Sequence, residues 1–229
     1  MHLNTPAAQE SSTSRPGTRK TISALYVILD AATLEARSLD LREVADSVRA
    51  AGVRVVQYRH KDGSPQTILK AAQVLCEVFA GQETTLIVND RADLAVLAGF
   101  DGVHVGQGDL APEDVRLVTG ASRRLIVGVS THDAAETAAA DASTADYVAI
   151  GPVYATGSKR DASPVVGLDG VRRARAMTRK PVVAIGGITR ANAAAVIDAG
   201  AGAIAVISGL YVQGESIEKV ARDFLDFFR

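Results

Sequence analysis

Eight short apolar runs, rich in β-branched residues, recur along the chain from residue 24 onward and constrain its fold more than any other feature. Longer alanine-rich stretches with helical periodicity separate them, including "DLREVADSVRAAG", "SPQTILKAAQVLCEVFAG" and "TRANAAAVIDAG". This alternation predicts buried parallel strands that are each followed by a helix. The predicted strands are "ALYVIL", "VRVVQY", "TLIVN", "GVHV", "LIVGV", "YVAI", "VVAIG" and "AIAVI".

The number of strands favours a closed barrel. Eight strands with intervening helices in 229 residues match an α/β fold, the closed eight-stranded parallel (β/α)8 TIM barrel. The alternative is an open doubly wound sheet, which usually has fewer strands. We predict a single barrel domain over residues 22–229, after a disordered tail over residues 1–21 that is rich in Ser, Thr and Pro. Thr189 is predicted to cap the helix of "ANAAAVIDAG", and Gly200 is predicted to end it.

Composition argues against several classes of partner. A formal net charge of −1 does not suit binding to nucleic acid or to a membrane surface. No run approaches the ~18 apolar residues of a membrane helix, and the N-terminus lacks the hydrophobic segment of a secretion signal. The single cysteine, Cys76, permits no internal disulfide, and its apolar pattern indicates helix core. We expect a cytoplasmic protein with small-molecule ligands; a homo-oligomer is compatible with the sequence.

Polar residues follow the second predicted strand, in "QYRHK". The active site of a β/α barrel lies at the carboxyl ends of its strands. Because side chains alternate along a strand, Gln57, Arg59 and Lys61 point to one face, whereas Tyr58 and His60 point to the other. If the first three line the barrel mouth, their amide, guanidinium and ammonium groups suit phosphate oxygens. The alternative interpretation is a solvated strand end.

The third and fourth strands are followed by two aspartates. Asn89 and Asp90 come directly after the third strand, and Asp109 follows the fourth. Two carboxylates from neighbouring strand ends, with other positions left to water and phosphates, are typical of a magnesium site. The alternative is structural: Asp90 caps a helix that starts at Arg91, and Asp109 lies in a turn.

Two histidines and a serine lie near these ends. Neither His104 nor His132 has the spacing of a zinc site. His104 is interpreted as a hydrogen-bonded histidine of the barrel, and His132 as a residue near the start of a helix. Ser130 ends the fifth strand, where it either donates to a ligand oxygen or serves as a helix-entry residue.

The loop after the sixth strand and the loops after the last two strands have features of a phosphate site. The first is long and carries two glycines for close backbone approach, two hydroxyls and a cation. In barrels, the loops after strands seven and eight often bind phosphate through backbone N–H groups. Small residues for tight packing are the alternative. The residues concerned are Gly151, Thr156, Gly157, Ser158, Lys159, Gly186, Gly187, Ser208 and Gly209.

Seven motifs in chain order resemble one known family. They are "QYRHK", "VNDRADLA", "DGVHVGQGDL", "GVSTH", "GPVYATGSK", "AIGGI" and "VIS". With these motifs, the sequence is similar to the thiamine phosphate synthases from Leu25 to the last predicted helix. The resemblance implies a transferase of thiamine biosynthesis. Such an enzyme couples 4-amino-2-methyl-5-hydroxymethylpyrimidine diphosphate with a thiazole phosphate, releasing pyrophosphate, and also carbon dioxide where the thiazole is carboxylated.

The resemblance also implies roles for the residues at the matching positions. The cofactor would be Mg²⁺, bound by Asp90 and Asp109. The catalytic residues would be Arg59, Lys61, Ser130 and Lys159. The pyrimidine diphosphate would be bound by Gln57, Tyr58, Arg59, His60, Lys61, Asn89, Ser130 and Lys159. The thiazole phosphate would be bound by Thr156, Gly157, Ser158, Gly187, Ile207 and Ser208.

Two positions differ from the common form of the family. His60 stands where an acidic residue is common, and it is expected to face away from the pocket. Ser158 stands where threonine is common, and it keeps the hydroxyl.

Other functions fit part of the pattern. A thiazole tautomerase would share the barrel and the phosphate site without needing the diphosphate and magnesium residues. A sugar-phosphate isomerase or epimerase would need an acid/base pair across the pocket. A catalytically inactive phosphate-ligand-binding barrel would be expected to lack Lys159 or the aspartates, which are present.

Overall fold

A computed structural model describes residues 22–120, 124–157 and 163–229. The predicted N-terminal tail lies outside these described residues, and so do Ser158 and Lys159. The domain boundary before residue 22 therefore stays a prediction.

Eight parallel strands form a closed barrel in chain order, with the last strand paired to the first. The predicted fold is thus confirmed, and each predicted strand forms. The strands are β1 (Ala24–Asp30), β2 (Val55–Arg59), β3 (Thr85–Asn89), β4 (Gly102–Val105), β5 (Ile126–Thr131), β6 (Tyr147–Ile150), β7 (Val182–Ile185) and β8 (Ala203–Val206).

Helices follow the strands and cover the outside of the barrel. Several begin at polar caps; for example, Ser64 Oγ accepts a hydrogen bond from Thr67 N–H at 3.2 Å. A short 3₁₀ helix (Ser208–Leu210) follows β8. Among the described residues, the α-helices are α1 (Ala31–Ala36), α2 (Leu41–Ala50), α3 (Pro65–Val78), α4 (Ala92–Ala98), α5 (Pro112–Thr119), α6 (Ala134–Ala142), α7 (Gly167–Met177), α8 (Ala193–Asp198) and α9 (Ile217–Asp226).

Helix α8 begins later than its predicted cap. It starts at Ala193, and the Thr189 N–H donates to Asn192 Oδ1 at 2.8 Å within a preceding turn. The prediction that Thr189 caps the helix is therefore wrong, because this turn separates it from the first helical residue. Gly200 does follow the end of α8, and its φ of 108° suits glycine.

The core has an outer layer between strands and helices and an inner layer inside the barrel. Cys76 packs against the outer layer from α3, as the sequence indicates, and its thiol donates to the Ala98 carbonyl. No described helix has the length and apolar character needed to cross a membrane. The inner layer consists of Ile22, Tyr26, Ile28, Val55, Ile87, Tyr147, Ala149, Val183, Ala203, Ala205 and Ile207.

Candidate active site

The direction of the β2 side chains sets the position of the polar residues at its carboxyl end. Val55 lies inside the barrel, so alternation places Gln57 inside and Arg59 at the mouth. The strand register agrees, because Gln57 lies opposite Ile28 of β1 and Ile87 of β3, which are both interior residues. The predicted direction of this strand is confirmed.

Tyr58 and His60 lie on the opposite side of β2. Tyr58 packs in the outer core, and its hydroxyl lies 3.3 Å from His60 Nδ1. The expectation that His60 faces away from the pocket is confirmed. Neither side chain lines the two cavities described below, and a role of these residues in substrate binding stays a prediction.

A cavity opens between the carboxyl ends of β5 to β8 and is lined largely by glycine backbone and small side chains. It brings together most of the residues implied for the thiazole phosphate, whereas Gly157 lies on the exposed loop beside Thr156. We call this space the glycine cavity. Its lining includes Gly151, Thr156, Gly186, Gly187, Ile207, Ser208 and Gly209.

Gly187 is required at its position by both conformation and space. Its φ of 64° lies in the left-handed region, and a Cβ there would be 2.6 Å from the Ala155 carbonyl oxygen. Asn192 holds the same loop, because its Nδ2 donates to the Gly187 carbonyl at 3.0 Å while its Oδ1 accepts from Thr189. The loop after β7 therefore has a fixed shape.

A second cavity lies at the mouth of the barrel interior, beside the first. It is lined by Gln57, Arg59, Asn89, His104 and Ser130, and we call it the floor cavity. Both cavities share Ser130 and the apolar wall of β7 and β8, so the two spaces adjoin. The residues implied for the thiazole phosphate and those implied for the pyrimidine diphosphate thus line adjoining cavities, with Ser130 between them.

Arg59 is held in place by a carboxylate that the sequence analysis did not select. Its Nη1 lies 2.5 Å from Asp30 Oδ1, and the Asp30 side chain is only 3% exposed. The other oxygen of Asp30 accepts from Thr33 N–H and Oγ1–H at 3.0 and 2.7 Å. Asp30 is the last residue of β1, so inspection of every strand end, including the first, would have found it.

Lys61, Asp90 and Asp109 form a charged cluster at the rim. Lys61 Nζ lies 2.8 Å from Asp90 Oδ2, and Asp109 accepts from the Gly106 N–H at 2.9 Å. Asp90 does not cap α4, which starts at Ala92 without a side-chain cap. The structural alternative for Asp90 is therefore wrong, and its φ of 62° is unusual for a residue with a Cβ.

The two carboxyl groups of this cluster interact and titrate differently. Burial raises the pKa of Asp90; Lys61 opposes this rise and Asp109 adds to it. Burial also acts to raise the pKa of Asp109, but the Gly106 N–H and the interaction with Asp90 lower it overall. Asp109 consequently ionises first, and full ionisation of the pair is resisted by charge repulsion.

The donor set of this cluster fits a hard divalent cation. Carboxylate oxygens are the ligands that Mg²⁺ prefers, and its charge would relieve the repulsion between Asp90 and Asp109. Within the described ranges, no group of three or more His, Cys, Asp or Glu residues could enclose a metal. A cation at this place would therefore need further oxygens from water or a ligand.

Both histidines take the positions interpreted from the sequence. His104 is buried in the barrel, with Nδ1 2.9 Å from Tyr147 Oη and Nε2 2.8 Å from Ser130 Oγ. His132 precedes α6, and its backbone N–H and ring nitrogen contact Glu136 Oε2 at 2.7 and 2.8 Å.

Comparison with known proteins identifies the family. The sequence model described as thiamine monophosphate synthase matches residues 25–210. The chain belongs to the thiamine monophosphate synthase family. The thiamine-phosphate synthase of Koribacter versatilis is 51% identical over 82% of this chain and 89% of its own length. That of Methanoregula boonei is 44% identical, over 87% of this chain and 90% of its own length.

A solved structure supports the same family. The thiamine phosphate pyrophosphorylase of Pyrococcus furiosus superposes with a TM-score of 0.77 at 28% identity, covering 89% of this chain and 94% of its own. The resemblance drawn from the seven motifs is thereby confirmed, as is the assignment to the transferases.

The site of this thiamine monophosphate synthase family member contains four residues that sequence reasoning missed. Asp30 fixes Arg59, and Asn192 fixes the loop at Gly187. Tyr26 and Tyr147 meet inside the barrel with their hydroxyl oxygens 3.0 Å apart. Both tyrosines occur within apolar runs, so no local signal distinguishes them from ordinary core residues.

Proposed function

We propose that this protein joins 4-amino-2-methyl-5-hydroxymethylpyrimidine diphosphate to a thiazole phosphate, forming thiamine phosphate and pyrophosphate. The observation that carries the proposal is the adjacency of two unlike cavities at one strand-end face, with Ser130 between them. The names of the related thiamine-phosphate synthases agree with it.

The glycine cavity is proposed to bind the thiazole phosphate. Its glycine backbone can approach phosphate oxygens closely, and the hydroxyls of Thr156 and Ser208 line the same space. Apolar side chains of β7 and β8 provide a wall for the thiazole ring. Gly157 and Ser158 extend this proposed site from the loop after β6, with Ser158 outside the described residues.

The floor cavity and the rim are proposed to bind the pyrimidine diphosphate. Arg59 is held by Asp30 through one of its five N–H donors, which leaves the others for diphosphate oxygens. Lys61 and Lys159 would add cations, although Lys159 lies outside the described residues. Gln57, Asn89 and Ser130 would supply polar contacts around the reacting group.

Asp90 and Asp109 are proposed to hold Mg²⁺ at the rim. The metal would supply positive charge that neutralises the departing pyrophosphate. Lys61 lies against Asp90 and would turn toward the diphosphate once that carboxylate has another counter-charge. Arg59 and Lys61 then orient the leaving group by ordinary charge-assisted hydrogen bonds.

The chemistry needs charge neutralisation and proximity more than proton transfer. The carbon–oxygen bond at the pyrimidine methylene breaks, and its electron pair leaves with pyrophosphate. The resulting cation is stabilised by the electron-rich ring, and the thiazole nitrogen lone pair forms the new carbon–nitrogen bond. With a carboxylated thiazole, the carbon–carbon bond to the carboxylate also breaks and carbon dioxide leaves. The electron pair stays on the ring carbon, which takes a proton from water. The adjoining cavities hold the two reactants together, and Arg59 and Lys61 stabilise the developing charge.

Cytoplasmic location and an assembly of identical chains remain parts of this proposal that rest on the sequence alone. A single cysteine and an ordinary charge balance support the first. The barrel of residues 22–229 is proposed to act as one catalytic domain.

The direct test is to supply the purified protein with both substrates and Mg²⁺ and to measure pyrophosphate and thiamine phosphate. Both products should appear in equal amounts, and omission of either substrate should abolish thiamine phosphate formation. A tautomerase, an isomerase or an inactive binding protein would release no pyrophosphate, and that outcome would refute the proposal.

A further inference from the structure

A continuous chain of hydrogen bonds crosses the barrel interior, and four of its five members line the floor cavity. Gln57 Nε2 lies 2.7 Å from Tyr26 Oη, and Tyr26 Oη lies 3.0 Å from Tyr147 Oη. Tyr147 Oη lies 2.9 Å from His104 Nδ1, and His104 Nε2 lies 2.8 Å from Ser130 Oγ. The chain thus starts at one wall of the floor cavity and ends at the serine between the cavities.

The donor and acceptor roles along this chain are assigned from the amide group of Gln57. An amide nitrogen only donates, so Tyr26 Oη accepts from Gln57. In the arrangement that uses every hydroxyl hydrogen within the chain, Tyr26 directs its own hydrogen to Tyr147. Tyr147 in turn directs its hydrogen to Nδ1 of His104. Burial raises the pKa of both tyrosines, so each keeps its single hydroxyl hydrogen.

The tautomer of His104 decides which atom donates in its hydrogen bond with Ser130. With Nδ1 accepting, the proton of the imidazole is on Nε2, which donates to Ser130 Oγ. The hydrogen of the Ser130 hydroxyl is then directed away from His104. Because Ser130 lines both cavities, that hydrogen is available to a substrate atom.

The fold makes specific room for the chain. A Cβ at position 128 would overlap the Tyr147 ring, so Gly128 on β5 allows the ring to cross the interior. Tyr26 and Tyr147 are 1% and 0% exposed, although an apolar side chain would fill the same space without a polar group to satisfy.

We propose that Tyr26, Tyr147 and His104 are positioning residues that fix Ser130 as a hydrogen-bond donor to the bound substrate. The identity of the substrate in this inference rests on the proposed function. The donor and acceptor roles within the hydrogen-bonded chain do not depend on it. A network of this kind holds a reacting group within a narrow range of orientation, which is what rapid chemistry requires.

The first test measures the tautomer of His104 in the unmodified protein by ¹⁵N NMR of histidine-labelled material. The signals of the other histidines, His2, His60 and His132, are assigned with single His→Gln variants. We expect the Nε2–H tautomer at His104. The Nδ1–H tautomer would overturn the proposal, whether or not the protein makes thiamine phosphate.

The second test is a double-mutant cycle between Tyr147→Phe and Ser130→Ala, read as kcat and KM for each substrate. Alone, Tyr147→Phe should lower kcat by about tenfold, as expected when one hydrogen bond no longer orients its target. In the Ser130→Ala background, the same change should have less than about a twofold effect, because it acts through that serine.

A matched control uses Tyr211, a partly buried tyrosine whose hydroxyl oxygen is buried. The Tyr211 hydroxyl has no hydrogen-bond partner among the described residues, so Tyr211→Phe should leave kcat unchanged. If Tyr147→Phe lowers kcat equally in the presence and absence of the Ser130 hydroxyl, the positioning proposal is wrong. The proposed function is tested separately, by the activity of the wild-type protein. If Tyr147→Phe does not fold, the tautomer in the wild-type protein decides.

Discussion

The two parts of the candidate site differ in the chemical groups that line them. The part at β2 to β5 uses long charged and polar side chains, and two of its charges are paired, Arg59 with Asp30 and Lys61 with Asp90. The part at the loops after β6 to β8 uses glycine backbone and small hydroxyls, held by Asn192. Charge defines the first part, and shape defines the second.

This difference matches what each proposed ligand requires. A departing diphosphate gains negative charge during the reaction, so positioned cations and a metal are useful there. A phosphate that only anchors its substrate carries the same charge throughout, so a rigid backbone site suffices. Substitutions in the charged part should therefore change turnover, whereas substitutions in the glycine cavity should change affinity.

The largest effect is expected at Lys159. Lys159→Ala should lower kcat by about a hundredfold or more, because a cation proposed to neutralise the leaving group is removed, while KM for the thiazole phosphate changes little. Single-turnover rates measure the chemical step directly. The neighbouring Arg160→Ala variant is the matched control. Similar single-turnover rates in both variants would show that Lys159 has no specific role in the chemical step.

The acidic pair should give the next largest effect. Asp90→Asn and Asp109→Asn should each reduce turnover by about tenfold to a hundredfold and weaken the dependence on Mg²⁺; the double variant should be little worse, because the pair acts as a unit. Asp93→Asn, in the first turn of α4 and paired with Arg91, is the control. Wild-type activity that persists after complete chelation would exclude the metal role.

The pH dependence of metal binding tests the same pair. Metal binding requires both carboxyls ionised, and the pKa of Asp90 is raised by burial. Affinity for Mg²⁺ should therefore fall as the pH is lowered through that raised pKa, starting at a higher pH than for an exposed aspartate. Calorimetric titration with Mg²⁺ at several pH values measures this, and a flat profile would contradict it.

Gly187→Ala tests whether the glycine cavity controls affinity for the thiazole phosphate alone. The added Cβ meets the Ala155 carbonyl in a left-handed conformation, so KM for the thiazole phosphate should rise by about tenfold while KM for the pyrimidine diphosphate stays constant. Gly81 has a similar φ of 73° with open space around it, so Gly81→Ala controls for the backbone cost alone. Equal effects on both substrates would show that the two parts are not separate.

The smallest effect is expected outside both parts. Removal of residues 1–20 should change neither kcat nor either KM by more than about twofold, because their composition indicates no packed role. A large loss of activity or solubility in the shortened protein would contradict this.

The barrel could be predicted from the sequence because its signals are local. Apolar runs and helical periodicity lie within single elements, and the strand ends follow directly from them. Asp30 could be located at the end of the first predicted strand, but its ion pair with Arg59 depends on side-chain conformations that no local pattern shows. The cap predicted at Thr189 was wrong because a turn, closed by the bond from Thr189 N–H to Asn192 Oδ1, separates Thr189 from the first residue of α8.

The hydrogen bond between Tyr26 and Tyr147 joins residues 121 positions apart, and it crosses a ring that closes only when β8 pairs with β1. Closure of such long loops is entropically unfavourable until many contacts form together, so we expect this bond to form late in folding. The orientation proposed for Ser130 would then be acquired with the completed ring and not with any single β/α unit. Since the chain has five tyrosines and no tryptophan, tyrosine fluorescence offers an intrinsic optical signal for that final step.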